Sequence, residues 1–144
     1  MKKKILIGLA VLFVISQFIN RIDKTVPDYD KSKDFLTMTQ APANVVEVFK
    51  TACYDCHSYE TRYPWYSNVA PMSWMVGHHI NEAREEMNLS RWGELSEEDQ
   101  KEKTEDMIDA FENGWMPLGT YTMIHRDALI PFKKRYEIAD WLKK

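Results

Sequence analysis

Two cysteines and one histidine form the group of residues best suited to chemistry in this chain. Cys53 and Cys56, the only cysteines among 144 residues, are separated by two residues, and His57 follows directly. Two thiols one helical turn apart can each form a thioether with one of the two vinyl groups on one edge of a haem, and the adjacent imidazole can then bind the iron. The spacing therefore predicts one covalent c-type haem, with its iron, and His57 as the proximal ligand.

A C-x-x-C pair also occurs in zinc sites and in dithiol redox sites. A structural zinc site takes four ligands, and the chain has no further cysteine to supply them. A thioredoxin-like dithiol is typical of a helix flanked by strands, whereas the residues on both sides of Cys53 and Cys56 have a helical pattern. The motif therefore favours haem attachment over both alternatives.

Three side chains compete for the sixth position on the iron. Met116 precedes Pro117 in a predicted loop, and the proline stiffens the turn around it. His79 lies on the apolar side of a predicted helix, and His125 is the third candidate. A loop residue can be aimed at the iron without moving a whole helix, so the prediction is His57 and Met116 as axial ligands.

Helical patterns surround the motif. Val45, Val48 and Phe49 repeat at three and four residues on a helix that runs into Cys53. A second helix, beginning at Pro71, has an apolar stripe made of Met72, Met75, Val76, His79, Ile80, Ala83 and Met87.

Two more helices are predicted towards the C-terminus. Ser96 with Asp99 three residues later resembles a capping box, and Asn113 with Gly114 is typical of a helix end. A final amphipathic helix over 131–142 is predicted to pack against the helix that contains Phe49. Its packing residues would be Phe132, Ile138, Trp141 and Leu142.

An aromatic cluster follows the motif. It consists of Tyr59, Tyr63, Trp65 and Tyr66. Such a cluster can serve as a wall that packs against the haem or as an ordinary part of the core, because aromatic side chains bury well in either setting. The sequence leaves both interpretations open.

The N-terminus has the pattern of a membrane segment. Lys2, Lys3 and Lys4 precede an apolar run over 5–19, and no small-residue cleavage site follows it. The run is short for a spanning helix, but Lys4 and Arg21 could extend it by snorkelling. We therefore expect an uncleaved anchor with the lysines in the cytoplasm and the rest of the chain on the periplasmic face of the inner membrane. The alternative is a cleaved signal and a periplasmic protein.

Length and charge limit the remaining possibilities. A chain of 144 residues that is 44% hydrophobic can bury one core, so a single domain over 41–144 is expected, after a signal or anchor at 1–22 and a polar tether at 23–40. The net charge of −3 and the lack of a basic, aromatic stripe argue against nucleic acid as a partner. The expected fold is all-α, a small helical domain around the haem.

Several motifs together resemble a known family. They are C-x-x-C-H-S at 53–58, Y-P-W-Y-S at 63–67, Ala70-Pro71, Ser73-Trp74, His79-Ile80, Asn88, Ser90, Trp92, Met116-Pro117, Tyr121 and His125. Broadly, the chain resembles class I cytochromes c, and more narrowly a family of small bacterial haem-binding domain proteins, over about residues 42–142.

The resemblance implies a periplasmic, membrane-anchored protein with one covalent haem held by Cys53, Cys56 and His57. The cytochrome c pattern implies Met116 as distal ligand, while the narrower pattern also contains His79 and His125. Two functions follow from these features. The first is electron transfer to redox partner proteins through small, weak interfaces, and the second is sensing or binding of a small ligand at an open distal position. Catalysis is not expected, because no convincing acid and base pair accompanies the motif.

Overall fold

Helices joined by turns and irregular segments make up the described part of the chain. The computed structural model describes residues 2–144, and these residues contain no β-strand, so the prediction of an all-α protein is confirmed. In chain order the α-helices are α1 (Lys2–Ser16), α2 (Phe35–Met38), α3 (Ala43–Ala52), α4 (Tyr54–His57), α5 (Met72–Glu86), α6 (Glu97–Asn113), α7 (Gly119–Ile124) and α8 (Phe132–Leu142). Short 3₁₀ segments lie between them at Lys31–Lys33, Trp65–Asn68, Leu89–Glu94 and Arg126–Ala128.

The hydrophobic core is built around Phe35. Its ring centroid lies 5.1 Å from that of Phe49, 4.8 Å from that of Trp92 and 6.1 Å from that of Trp141. Helices α6 and α8 pack on each other and both contribute buried side chains to this core. Other buried members are Leu36, Val45, Val48, Tyr54, Leu89, Met107, Phe111, Ile130, Ile138 and Ala139.

Helix α3 packs on the core and runs directly into the motif, as predicted. Its buried residues are Val45, Val48 and Phe49, which share one face because they are spaced three and four apart. The helix ends at Cys53, whose amide donates to the Phe49 carbonyl at 2.9 Å. Helix α4 begins at the next residue and contains the rest of the motif.

Helix α6 begins and ends where its caps were predicted. The Ser96 hydroxyl accepts a hydrogen bond from the Asp99 amide at 3.1 Å, which satisfies one of the free N–H groups of the first turn. Gly114 has a φ of 71°, a left-handed conformation that glycine adopts without steric cost. The loop that follows contains Met116, so this stop sets where that loop begins.

Helix α5 differs from its predicted stripe. Ile80 is buried and His79 and Ala83 face a cavity, but Met75 is 43% exposed and Ser73 is buried in its place. This helix packs against α4 and against the 65–68 turn, which lies apart from the core around Phe35. The prediction of one continuous buried stripe is wrong for this N-terminal half.

Helix α8 also differs from prediction. Ile138 is fully buried and Trp141 contacts Phe35, but Phe132 is 71% exposed and stacks only on the neighbouring Tyr136. The helix packs mainly on α6 and not on α3 as predicted. Rotation of α8 towards α6 therefore leaves its first turn in solvent.

The polar segment before residue 41 joins the domain. Phe35 and Leu36, which the sequence places in the tether, are 1% and 7% exposed. Asp34 caps α2 by accepting from the Leu36 amide at 3.1 Å, and it also accepts from the Tyr54 hydroxyl at 2.8 Å. Two consecutive apolar residues in a polar stretch give no periodic signal, which explains why the pattern missed them.

The Tyr54–Asp34 hydrogen bond yields a test of this docking. Tyr54→Phe is expected to lower the free energy of unfolding by about 1–3 kcal/mol, because a buried carboxylate loses a donor. Burial and the nearby Asp34 carboxylate raise the pKa of Tyr54, so this bond's stabilisation is complete below pH 10.0 and declines as the pH rises above it. Urea unfolding at pH 7 measures the loss, and Tyr136→Phe, on an exposed ring, is the matched control. Equal midpoints for the two variants would contradict the prediction.

The N-terminal region consists of α1 and an extended segment that lies on the domain. No helix within residues 2–144 has the length and apolar character needed to cross a membrane. After α1, Gln17 exchanges hydrogen bonds with the backbone of Ala70, and the Trp74 indole donates to the Ile19 carbonyl at 2.8 Å. Further along, Lys24 donates to Asn68 at 2.6 Å. The chain from Gln17 to Lys24, at the junction of the predicted anchor and tether, is therefore attached to the domain.

The close approach of this segment depends on a glycine in α5. A Cβ at Gly77 would stand 3.0 Å from Cγ1 of Ile22. This distance is shorter than ordinary van der Waals contact between carbon atoms. Gly77 therefore lets the segment containing Ile22 lie directly on the α5 backbone.

Candidate functional site

The motif forms one tight turn between α3 and α4. The amides of Cys56 and His57 both donate to the Cys53 carbonyl, at 3.1 and 2.9 Å. This turn brings the two cysteines and the histidine to the wall of a single cavity. Burial raises the pKa of Cys53 to about 12 and that of Cys56 to about 11, so both are neutral thiols at physiological pH.

The imidazole of His57 is held in one tautomer. Its Nδ1 lies 3.1 Å from the Met87 carbonyl oxygen, which can only accept, so Nδ1 carries the proton and donates. Burial lowers the pKa of His57 and keeps the ring neutral. The lone pair on Nε2 is therefore free for a metal, which is the arrangement in which an outer hydrogen bond orients a metal-binding histidine.

The cavity beside the motif has a volume of about 640 Å³. Its walls come from the end of α3, α4, α5, α6, the loop over 115–118 and the start of α7. The apolar lining residues are Phe49, Ala52, Ala83, Met87, Leu89, Met107, Ala110, Phe111, Trp115, Pro117, Leu118 and Ile130. Four charged residues also line it, namely Glu82, Glu86, Lys103 and Asp106. The three acidic ones are exposed, so they stand at the mouth.

The candidates for the sixth ligand are placed differently. Met116 lines the cavity from the loop after α6, and His79 lines it from α5. The His79 side chain is 40% exposed, with Nδ1 3.9 Å from the Glu82 carboxylate. His125 is engaged elsewhere, because its Nε2 is hydrogen-bonded to the Tyr66 hydroxyl at 2.6 Å and its ring stacks on Tyr121. The structure thus brings two of the three candidates to the motif.

The aromatic cluster after the motif fits neither of its two interpretations. Trp65 is 78% exposed, and Tyr66 holds His125. Tyr59 and Tyr63 are covered by the N-terminal segment, through the ring of Tyr29 and the ammonium of Lys24. These residues bind the N-terminal segment and the α7 region, so their aromatic character reflects contacts between segments.

Sequence reasoning missed a buried polar group inside the motif. Asp55, between the cysteines, is 6% exposed and accepts from the backbone and guanidinium of Arg62 and from the Tyr121 hydroxyl at 2.7 Å. An acidic residue in the middle of an apolar turn is the only local signal that could have revealed it. Its partner Tyr121 is 66 residues away in the chain, which no local pattern can predict.

The residues of the cavity suit a haem. The volume lies within the range of about 300–1,000 Å³ that is usual for ligand pockets, and the lining is mostly apolar. The donor set also suits it, since two thiols, a free imidazole nitrogen and a thioether all line the cavity. Within residues 2–144, no group of three or more His, Cys, Asp or Glu side chains is arranged to hold a metal ion. The apolar lining suits the macrocycle of a haem, and the imidazole and thioether suit its iron.

Comparison with known proteins gives one match. A family model described as a haem-binding domain matches residues 11–144. No curated protein and no solved structure matches the chain significantly. The family match covers the whole helical domain, including the segment over 31–38.

Proposed function

Because the chain belongs to the haem-binding domain family, we propose that it is a monohaem c-type cytochrome with a cytochrome c-like fold, which transfers electrons outside the cytoplasm. The observation that carries the proposal is a single apolar cavity lined by Cys53, Cys56, His57 and Met116. A bound haem supplies one-electron chemistry through its iron. The protein carries electrons between redox partners and is not itself an enzyme.

The attachment residues have separate roles in this proposal. Cys53 and Cys56 hold the haem covalently, and His57 offers Nε2 to the iron. The Met87 carbonyl keeps the His57 ring in the correct tautomer and orientation. Burial of the imidazole lowers its pKa and so keeps Nε2 unprotonated.

The geometry favours Met116 over His79 as the sixth ligand. His79 lies on α5, the helix that ends just before Met87, whose carbonyl holds the His57 ring. Met116 lines the cavity from the separate loop after α6, and a loop residue can reach the iron without movement of a whole helix. Ligation by two protein side chains needs little rearrangement on electron transfer, which suits a carrier.

Carbon monoxide binding to the reduced protein tests the ligand assignment. Met116→Ala is expected to tighten carbon monoxide binding by roughly tenfold or more, about 1.4 kcal/mol, because no side chain then competes for the iron. It is also expected to lower the reduction potential, since the methionine thioether raises it. His79→Ala, at the other candidate on the cavity wall, is the matched control and should leave the absorption spectrum unchanged.

Two results would contradict this assignment. If His79→Ala opens the iron and Met116→Ala does not, His79 is the sixth ligand and the potential should lie in the bis-histidine range. If the unmodified protein itself binds carbon monoxide readily, the distal position is open. The protein would then be a haem-based sensor or small-ligand binder.

We place the haem domain on the periplasmic face of the inner membrane. The three lysines at 2–4 precede an apolar helix, a charge arrangement that sends the following chain outward. The mature protein is expected to keep its N-terminus and to fractionate with membranes. N-terminal sequencing of protein from the periplasmic and membrane fractions measures this, and a sequence that begins at Asn20 or later would show a cleaved, soluble form.

A further inference from the structure

We propose that Arg135 and Tyr121 are positioning residues that hold the loop over 114–118, here called the ligand loop, so that Met116 stays aimed into the cavity. The inference rests on the proposed function, in which Met116 binds the iron. It concerns two residues outside the attachment motif, one on α8 and one on α7.

Arg135 holds the ligand loop at Met116 itself. Its Nη1 donates to the Met116 carbonyl at 2.6 Å, and its Nε donates to the Ile130 carbonyl at 3.3 Å. The neighbouring Lys133 is exposed, and Lys134 faces Glu137 at 3.6 Å. Arg135 is therefore the residue of this basic run that points inward. It donates to one backbone carbonyl in the ligand loop and to one in the segment before α8.

The partial burial of Arg135 has a physical consequence. Desolvation lowers its pKa, although the group stays charged at physiological pH. A guanidinium removed from water is stable only where its donors find acceptors. The Met116 carbonyl is one of these acceptors, so the loop and the arginine fix each other.

Tyr121 holds the far end of the ligand loop. It lies in the first turn of α7, which begins at Gly119 directly after the loop. Its hydroxyl donates to Asp55 at 2.7 Å, and Asp55 is fixed by Arg62 between the two cysteines. The residues that follow the loop are thereby connected to the attachment motif.

The ring of Tyr121 is also fixed. It stacks on His125 with centroids 4.3 Å apart, and the Tyr66 hydroxyl holds His125 in turn. The hydroxyl that donates to Asp55 is therefore part of a ring that is itself held in place. Such support keeps a metal-binding residue, here Met116, in its productive geometry. Removal of either contact lets the loop move and lets an external ligand compete with Met116.

The test uses the haem-loaded protein with carbon monoxide as the probe. Tyr121→Phe removes only a hydroxyl and Arg135→Met keeps the aliphatic stem, and each is expected to tighten carbon monoxide binding about threefold to tenfold, the equivalent of one hydrogen bond. Both should shift the reduction potential in the direction of Met116→Ala. Arg135→Lys should restore binding towards the unmodified value, because the ammonium can still donate to the Met116 carbonyl.

Controls separate positioning from general stability. Tyr136→Phe and Lys133→Met change exposed residues on α8 and should leave carbon monoxide binding and the potential unchanged. If Tyr121→Phe and Arg135→Met lower only the unfolding midpoint while carbon monoxide binding equals that of the controls, the positioning role is refuted and the proposed function stands. If Met116→Ala does not tighten carbon monoxide binding, Met116 is not the sixth ligand, and the positioning role is refuted as well.

Discussion

Replacement of both Cys53 and Cys56 by alanine is expected to remove the haem from the polypeptide on a denaturing gel. Thioether bonds survive denaturation, whereas the His57 bond to iron does not, so only the thiols can retain haem in an unfolded chain. In-gel haem staining measures the result. Loss of the stain should be complete, the largest change that any variant of this chain will show.

Single replacements and one distal variant serve as controls. Cys53→Ala and Cys56→Ala each leave one thiol and should keep a weaker stain, while Met116→Ala should keep the full stain because it leaves both attachment points intact. A stain that persists in the double variant, or one that is missing from the unmodified protein, would contradict covalent attachment through these thiols.

Phe35→Ala is expected to lower the free energy of unfolding by about 3–5 kcal/mol, because a large buried ring leaves a cavity that the core cannot refill. Phe35 is 1% exposed and contacts Phe49, Trp92 and Trp141. A loss of this size is comparable to much of the stability of a small domain. Chemical denaturation followed by tryptophan fluorescence measures it.

Phe132→Ala is the matched control for this change. The sequence predicts Phe132 as a packing residue, but the structure leaves it 71% exposed. The same substitution should therefore cost less than about 1 kcal/mol there. Equal losses at the two positions would show that the core does not centre on the segment around α2.

The parts of the fold predicted correctly are those set by neighbouring residues. The turn at 53–57, the Ser96 cap and the Gly114 stop each depend on residues within one helical turn, and local geometry determines them. The buried face of α3 likewise follows from its own spacing. A single sequence contains this information in full.

The parts that were missed depend on partners far along the chain. Phe35 is buried because the rings of Phe49 and Trp92 pack against it. Phe132 is exposed because α8 packs on α6. The pairing of Asp55 with Tyr121 joins the attachment motif to α7. Each is a consequence of how the helices assemble, and residue spacing within one segment does not encode it.

The attached segment after α1 limits how the domain can move. If residues 17–34 were a flexible linker, their r.m.s. end-to-end distance would be roughly 20 Å, and the domain could take any orientation relative to α1. Contacts of Gln17 with Ala70 and of Lys24 with Asn68 remove that freedom. If α1 is immobilised, the orientation of the cavity mouth is therefore fixed as well. A redox partner then has to complete the rotational search for a productive encounter by its own tumbling.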